Sequence, residues 1–514
     1  MKLPKKTKSV QNIEPKLEKF ISNYQSKGYI TFSIDTLLET KDTIKIVVFQ
    51  GNQYDLEEVP YLKKTNYIEK TLSQLENSGY PFAQISLDSV EILPHKINAK
   101  LKIEKNSFIT FDSIVLKGDA KLSKSYLYPY LRLRRKKTYN ESIIKTVPNR
   151  IAELPFVMEI QPSGVEFVED KAHLYLFLNK VRTNRFDGFI GLVPADEQSG
   201  KVTLNGELNL NFNNLFTLGE HISLLWRAPD RYSQYLHVNA DFKYLLWTPF
   251  GIAADFILDK RDTSYLNMNY LIGIQYSFIG NNAIKLFFDY TTSSMLGNSA
   301  NSVISTSLPS SDFKKSMYGI SLFFSKLDHL FNPRKGFAFS LLGSAGTLNV
   351  LKNITLDASI YENIPTSSLR YTMSGDFKLF IPLHKRFVLL TQAVGGYYYG
   401  NHLFNNELMK IGGIHSLRGF DENSIDVSSF LTGLVELRFQ FERRSYLNAF
   451  FNGGWYERVV VNNFTTDTPY GFGLGISIDA KIGMFYLMYA LGHQYNNPIS
   501  FKSGKIHFGI ELGF

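Results

Sequence analysis

A ten-residue segment, residues 411–420 with the sequence IGGIHSLRGF, combines residue types that suggest a specific polar contact. Arg418 offers five hydrogen-bond donors in a fixed geometry and keeps its positive charge. Gly419 allows a tight backbone turn directly after it, and Phe420 can pack that turn against an apolar surface. The segment lies in a long polar connection, roughly residues 401–429, and connections of this length are often functional. The pattern predicts that the loop carries Arg418 to a buried partner; the alternative is an exposed Arg-Gly turn.

Patterns typical of catalysis or metal binding do not occur in the sequence. The ten His residues are scattered, without a pair at i and i+4, and there is no Cys, no G-x-S-x-G and no phosphate-binding loop motif. Glu207 and Asp241 fall at inward positions of alternating segments, and we interpret them as packing or channel residues. We therefore expect no enzyme, no metal and no cofactor.

Composition narrows the class of protein and its partners. The 514 residues are 44% hydrophobic and 14% aromatic, and no uncharged apolar stretch is long enough for a transmembrane helix. The net charge of +9 is compatible with an anionic partner or with solubility alone. The basic run at residues 132–137 has no interleaved aromatic residues for stacking, so we expect no nucleic acid partner. The basic N-terminus lacks a following apolar segment, which indicates an intracellular protein or a missing signal peptide.

The N-terminal third reads as repeated small α/β units. Gly28 and Gly79 each end an amphipathic helix, and two alternating strands follow each of them, which predicts an internal repeat of about fifty residues. We place a partial unit at residues 1–50, a repeat at 51–106 and a fuller β-α-α-β-β unit at 107–182. Antiparallel sheets of this size expose edges that can add a strand from an extended polypeptide.

Residues 183–514 alternate apolar and polar residues with a period of two. The alternating segments are about nine to eleven residues long, which matches a tilted strand crossing a bilayer. Lipid admits sheets only as closed barrels, because an open edge leaves backbone groups unpaired. The fold class predicted is a transmembrane antiparallel β-barrel of about sixteen strands, give or take two, preceded by the α/β repeats. Such a barrel belongs in the outer membrane of a Gram-negative bacterium, with the repeats in the periplasm and the signal peptide removed.

Five segments in this order resemble motifs of one protein family. They are the β-α-α-β-β unit at 108–181, the NPRKG turn at 332–336, the LRGF motif at 417–420, the FFNGGW strand at 450–455 and the glycine-rich strand at 470–476. Together they resemble the BamA/TamA-type assembly barrels of the outer-membrane-protein-85 superfamily, particularly its Bacteroidetes-like members. The α/β units then resemble POTRA repeats. The resemblance implies that the loop folds back into the lumen through the motif residues Gly412, Gly413, Leu417, Arg418, Gly419 and Phe420.

The partner of Arg418 departs from the family pattern. The resemblance implies an acidic residue on a lumen-facing strand, but Asn452 stands where the family has that acid. Its amide can accept a hydrogen bond from Arg418 without supplying charge. Strand parity turns Glu436 inward on the preceding strand and Asp479 inward on the following one. We favour Glu436 or Asp479 as the acidic partner.

The first and last strands, residues 186–193 and 505–514, are expected to close the barrel. Glycines weaken a strand pair, and this seam is predicted to contain Gly188, Gly191, Gly509, Gly513 and Phe514. The resemblance and the seam predict an insertase or translocase for unfolded outer-membrane or secreted polypeptides, which works in the lipid bilayer with possible accessory periplasmic or lipoprotein subunits. The alternatives are a two-partner-secretion-type polypeptide pore and a passive porin with a periplasmic anchor.

Overall fold

In the computed structural model, the chain divides into two compact units. One contains residues 1–116, 133–148 and 162–176, and the other contains residues 117–132, 149–161 and 177–514. The structure describes residues 14–39, 44–54, 67–94, 96–194, 202–228, 232–278, 282–296, 310–329, 332–353, 361–414, 416–442, 444–460, 463–480, 483–495, 499, 501 and 504–513. Among the helices of these residues, none has the length and apolar character needed to cross a membrane.

The first two α/β segments have the same construction, a helix followed by an antiparallel hairpin. Glycines with a left-handed backbone end both helices, Gly28 at φ +99° and Gly79 at φ +94°. A Cβ at Gly79 would lie within 3 Å of the Phe108 ring, so this position accepts only glycine. The elements are α1 (Glu14–Gln25), β1 (Ser33–Glu39), β2 (Ile44–Phe49), α2 (Tyr67–Asn77), β3 (Gln84–Leu93) and β4 (Lys96–Glu104).

The third segment is larger, with a four-stranded sheet in the order β6-β5-β8-β7. Ser123 begins its first helix by accepting a hydrogen bond from the Ser125 backbone N–H at 3.2 Å. Alternate residues of β8 are buried, as expected for a strand with one face on a core. The elements are β5 (Thr110–Lys117), α3 (Lys124–Leu131), β6 (Lys137–Thr138), α4 (Glu141–Ala152), β7 (Val157–Val168) and β8 (Lys171–Lys180). The limits of the three units at residues 50, 106 and 182 stay predictions.

The remaining strands, apart from one hairpin of two short strands, form one closed antiparallel barrel in sequence order. Strand β23 (Tyr446–Val460) pairs with β25 (Tyr470–Ala480) over its first half and with the short β24 (Asn463–Asp467) over its last residues. β24 and β25 therefore occupy one position, and sixteen strand positions make up the wall. The prediction of about sixteen strands is confirmed. The barrel strands are β9 (Arg185–Pro194), β10 (Val202–Asn213), β11 (His221–Ala228), β12 (Gln234–Phe242), β13 (Phe250–Arg261), β14 (Tyr265–Ser277), β15 (Ala283–Met295), β16 (Asp312–Leu327), β17 (Gly336–Leu351), β18 (Ser367–Pro382), β19 (Phe387–Tyr399), β22 (Ser429–Gln440), β23 (Tyr446–Val460), β24 (Asn463–Asp467), β25 (Tyr470–Ala480), β26 (Gly483–His493) and β27 (Lys505–Gly513), with β20 (Met409–Ile411) and β21 (Ile425–Val427) forming a separate hairpin.

Strand parity follows the alternation in the sequence. On β22, Val435 and Leu437 are exposed on the outside, whereas Glu436 between them is buried. On β23, Phe451 is exposed and Asn452 is buried. The outer wall is therefore apolar and the inner wall carries the polar residues, as in barrels that face lipid.

Candidate functional site: the lumen loop and the barrel seam

The connection between β19 and β22 folds into an ordered hairpin with its own core. β20 and β21 pair antiparallel, from Met409 opposite Val427 to Ile411 opposite Ile425. Buried apolar residues of the hairpin and of the β23 wall pack together, namely Ile411, Leu417, Ile425, Val427 and Tyr456. The sequence indicated a polar connection, but its apolar residues are the ones that attach it to the barrel wall.

Three glycines shape the loop tip. Gly412, Gly413 and Gly419 have φ of +113°, +93° and +96°, a region that residues with a Cβ rarely occupy. Gly413 and Leu417 exchange two backbone hydrogen bonds of 3.1 Å, which close the turn before Arg418. Leu417 is fully buried, and Phe420 packs against the hairpin core. The tip is therefore a defined turn that leads Arg418 inward.

Arg418 meets its acidic partner on β22. Its Nη1 lies 2.5 Å from Glu436 Oε2, and the Nε of Arg438 lies 2.5 Å from Glu436 Oε1. The Glu436 side chain is 1% exposed and both arginine side chains are 11% exposed, so the three charges interact with little screening by water. The Arg418 guanidinium also lies over the Phe450 ring, 4.8 Å from its centroid. The loop tip therefore carries Arg418 to a buried partner and is not an exposed Arg-Gly turn.

The other two candidate partners have different roles. Asn452 lies beside the tip, but its Nδ2 donates to the Arg418 backbone carbonyl at 3.5 Å and does not accept from the guanidinium. Asp479 is paired elsewhere, with its Oδ2 3.4 Å from Nη1 of Arg444. Of the two acids that strand parity favoured, the structure brings Glu436 to Arg418.

The tip is packed too tightly to bind a ligand. A cavity of about 10 Å³ remains beside Arg418 and Asn452, which is close to the smallest space that holds one water. In the described part of the chain, no three acidic or His side chains come together as metal ligands would. The arrangement can position the loop and neutralise charge.

Further attachments hold the loop to distant parts of the wall. Lys410 Nζ lies 2.6 Å from Asp259 of β13, and its hairpin neighbour Asp426 lies 3.7 Å from Arg261 of the same strand. The hairpin supplies the cation in the first pair and the anion in the second. The two pairs together fix the position of the hairpin along β13. The sequence reasoning missed them, because nothing local relates β13 to the loop.

The base of the loop is held by a buried ion pair that was also missed. Glu407 accepts two hydrogen bonds from Arg370 of β18, at 2.8 and 3.0 Å, and one from the Tyr398 hydroxyl at 2.7 Å. The adjacent Asn406 donates to Ser293 of β15 at 2.7 Å. Neighbouring loop residues thus connect β15 and β18, which lie three positions apart in the barrel wall. The sequence signal that could have indicated this ion pair was Arg370, a single Arg at an inward position of its strand.

The seam between β9 and β27 pairs only where β9 begins and β27 ends. Within the described residues, Leu512 lies opposite Phe186 and Gly513 opposite Arg185. On its other side β9 pairs with β10 along its whole length. A Cβ at Gly188 would contact the Glu207 carbonyl of β10, so this glycine fits the β10 side of the strand and not the seam.

For the other residues predicted to lie in the seam, the backbone pairing shows which strand each one faces. Gly191 lies opposite Asn205 of β10, Gly509 lies opposite Tyr486 of β26, and Gly513 takes part in the seam. Phe514 lies outside the described residues. Asp421, next to Phe420 of the tip, lies 2.8 Å from Lys505 at the start of β27, which connects the lumen loop to the last strand.

The comparisons with known proteins agree with this architecture. A family model, the Omp85 superfamily domain, matches residues 198–514. The chain belongs to the Omp85 superfamily. Members of this superfamily are outer-membrane β-barrels, which agrees with the apolar outer wall and the closed sheet.

Individual relatives of this Omp85 chain are distant. Outer envelope protein 80, chloroplastic, of Arabidopsis thaliana is 27% identical over 127 residues, which cover 21% of this chain and 15% of that protein. CdiB from Acinetobacter baumannii is 14% identical with a TM-score of 0.55, covering 100% of this chain and 88% of that one. BamA from Haemophilus ducreyi lacking POTRA domains 1–3 is 14% identical with a TM-score of 0.49, covering 87% of this chain and 92% of that one. The CdiB likeness shows a shared fold.

Proposed function

We propose that this Omp85 protein inserts or translocates unfolded polypeptide, in the outer membrane of a Gram-negative bacterium, with its α/β repeats in the periplasm. The repeats receive the polypeptide on their open sheet edges, and the β9–β27 seam opens sideways to pair with it. The mechanism uses no catalytic residue and no cofactor. Accessory periplasmic or lipoprotein subunits are compatible partners.

The observation that carries the proposal is the short β9–β27 ladder. Beyond Phe186, the backbone N–H and C=O groups on the β27 side of β9 have no ladder partner within the described residues. Unpaired strand edges bind extended chains through backbone hydrogen bonds, whatever their side chains. An incoming strand can therefore add to β9 without first breaking a full ladder.

The lumen loop supports the same proposal. Arg418 fixes the loop to β22 through Glu436, while Asp421 reaches Lys505 of β27. The Asp421–Lys505 pair is exposed, with side chains 68% and 39% accessible, so it adds little stability. The loop thus supports the last strand from a rigid base and leaves it free to separate from β9.

A disulfide across the seam tests the proposal. The chain contains no Cys, so the double variant Phe186→Cys/Leu512→Cys places one pair at partner positions of the seam. The matched control is Leu379→Cys/Thr391→Cys, partner positions of the fully paired β18 and β19. The assay is the folding of an unfolded barrel substrate into vesicles that contain the variant. We expect oxidation to abolish insertion in the seam variant, with recovery on reduction, and to leave the control active.

The same variants separate the alternatives. Insertion that continues with the seam oxidised contradicts the lateral mechanism. Transfer of a polypeptide across the vesicle membrane under those conditions indicates a secretion pore that uses the lumen. A large ion conductance that is unchanged by removal of residues 1–182 indicates a passive porin.

A further inference from the structure

The rim at which β10–β15 turn back carries two apolar tips, which we call the rim tips: Leu215 with Phe216, and Leu246 with Trp247. They lie in the turns between β10 and β11 and between β12 and β13. Leu246 is 85% exposed and Trp247 is 57% exposed, while Leu215 and Phe216 are 52% and 58% exposed. Water-exposed side chains of this size in consecutive turns are unfavourable unless something apolar covers them.

The Leu246–Trp247 turn adopts a backbone conformation that Leu and Trp rarely occupy. The Thr248 N–H donates to the Leu245 carbonyl at 2.9 Å, and both central residues are left-handed, Leu246 at φ +51° and Trp247 at φ +65°. Turns of this kind normally place Asn and Gly at these positions. Retaining Leu and Trp in a strained backbone indicates that their side chains have a role there.

The Leu215–Phe216 turn is held rigid by a buried carboxylate. Glu220 is 1% exposed and accepts hydrogen bonds from the backbone N–H groups of Phe216 and Leu218, at 2.5 and 3.0 Å. Asn214 adds a hydrogen bond to the Lys121 carbonyl at 3.0 Å. The hydrogen bonds keep the apolar tip pointing outward and prevent its collapse onto the barrel.

Helix α3 supports both turns from below. The Ser123 N–H donates to the Thr217 carbonyl at 2.7 Å, and the Tyr128 ring lies 5.6 Å from the Trp247 ring. Arg132 donates to the Phe278 carbonyl of the next turn at 2.6 and 3.1 Å. Burial raises the pKa of Tyr126, which packs between this helix and the turns, so its hydroxyl stays neutral. With these contacts in place, Leu246 and Trp247 still remain 85% and 57% exposed.

Other turns of the same rim have a different composition. The turns at residues 214–220 and 243–249 contain one charged residue each, the buried Glu220 and Lys243, and the turn at 278–282 contains none, whereas those at 328–335, 383–386 and 441–445 contain two or three Asp, Glu, Lys or Arg residues each. Leu383 is 56% exposed like the rim tips, but His384, Lys385 and Arg386 follow it directly. At this rim, the turns between β10 and β15 therefore carry fewer charges than those between β16 and β23.

We propose that the rim tips insert into the adjoining leaflet of the bilayer, at the boundary between headgroups and acyl chains. The occupant is lipid because the tips continue the lipid-facing wall: Phe250 and Ile252 at the start of β13 are 52% and 44% exposed on its outside. Trp and Tyr favour this boundary and charged residues do not. The Leu215–Phe216 tip follows β10, the strand that pairs with β9, and the Leu246–Trp247 tip follows β12. Insertion of the tips anchors the barrel in the leaflet on the β10 side of the seam, while the more highly charged turns stay in water.

Trp fluorescence in vesicles tests the proposal. The chain has three Trp, so Trp226→Phe/Trp455→Phe leaves Trp247 as the single Trp, which can be excited selectively at about 295 nm or above, where the Tyr residues hardly absorb. The matched control removes all three and adds Lys385→Trp in the charged turn. In phosphatidylcholine vesicles with bromine on the upper part of the acyl chain, we expect Trp247 to lose most of its fluorescence and the control to keep most of it. Aqueous iodide should give the opposite order.

Two results overturn the proposal. If iodide quenches Trp247, and bromolipid quenches it no more than it quenches the control Trp, the tips lie in water. If neither quencher reaches Trp247, protein covers it and not lipid. A second pair of variants, Leu246→Cys and Lys385→Cys with a polarity-sensitive label, keeps all three Trp and repeats the comparison should the Trp variants fold poorly.

Discussion

On one side of the barrel, β16, β17 and β18 each span 16 residues, and β17 pairs with both neighbours along nearly its whole length. On the other side, β9 and β27 meet only at Phe186–Leu512 and Arg185–Gly513. The well-paired side also has loops packed into it, with Phe404 in an apolar cluster formed by Phe313, Leu348, Val350 and Tyr361. Protein stability is commonly unequal across a structure, and mobile elements come from its weaker end. The difference between the two sides is that the base of the lumen loop packs against the well-paired strands, whereas the β9–β27 seam has only a two-residue ladder.

The largest loss of stability is expected from removing the Glu407 side chain on the well-paired side of the barrel. The side chains of Glu407 and Arg370 are 0% and 1% exposed, so Glu407→Ala leaves a buried guanidinium without its partner. We expect the free energy of unfolding to fall by about 3–5 kcal/mol, measured by urea titration in vesicles.

The matched control for this change is Asp376→Ala. Its ion pair with Lys378 lies on the same strand at 3.3 Å, but the side chains are 33% and 42% exposed. Water screens such a pair, so a loss of about 1 kcal/mol or less is expected. Equal losses of unfolding free energy in the two variants would contradict the idea that burial makes the Glu407–Arg370 pair the stronger one.

The loop tip should be the next most sensitive point. Glu436→Gln removes the charge that Arg418 and Arg438 share, and the two guanidiniums then repel each other in a site with little exposure to solvent. A loss of about 3 kcal/mol is expected, together with trypsin cleavage after Arg418 as the tip leaves its site. Asp479→Asn is the control, because its pair with Arg444 is 29% and 39% exposed; it should change stability by about 1 kcal/mol at most. Identical cleavage in both variants would contradict the assignment of Glu436 as the anchor.

A smaller effect is expected at Gly419. Its φ is +96°, and an added Cβ would lie 2.7 Å from the Leu491 carbonyl oxygen of β26. Gly419→Ala should cost about 1–3 kcal/mol in unfolding experiments, because both backbone strain and a steric clash oppose it. Gly433→Ala is the comparison on β22, where a Cβ meets nothing nearer than 3.9 Å. No loss at Gly419 would show that the tip shifts easily.

The fold was largely predictable because its signals are local. The period-two alternation gives each barrel strand its outer face, and Gly28 and Gly79 mark helix ends by backbone geometry alone. Strand parity also placed Glu436 inward, which is why it could be considered as a partner of Arg418. A parity argument cannot choose between inward acids at different heights, so Asp479 stayed a candidate until its contact with Arg444 was seen.

Contacts across the lumen could not be predicted. Lys410 with Asp259 and Glu407 with Arg370 join residues that are far apart in sequence and depend on the path of the loop. The amide of Asn452 could have accepted a hydrogen bond from the Arg418 side chain, but it donates to the Arg418 backbone carbonyl. Gly188 was assigned to the seam by sequence position, whereas its close approach is to β10.

The smallest effect on stability should come from the link between the two sides, Asp421 and Lys505. Both side chains are well exposed, so Asp421→Asn should change the free energy of unfolding by less than about 1 kcal/mol. Its effect should appear at the seam, because Lys505 lies at the end of β27 that is not paired with β9. In the Phe186→Cys/Leu512→Cys background, we expect Asp421→Asn to slow disulfide formation as β27 loses its support. An unchanged rate would mean that the well-paired side and the β9–β27 seam are not coupled through the loop, and that the loop only stabilises the barrel.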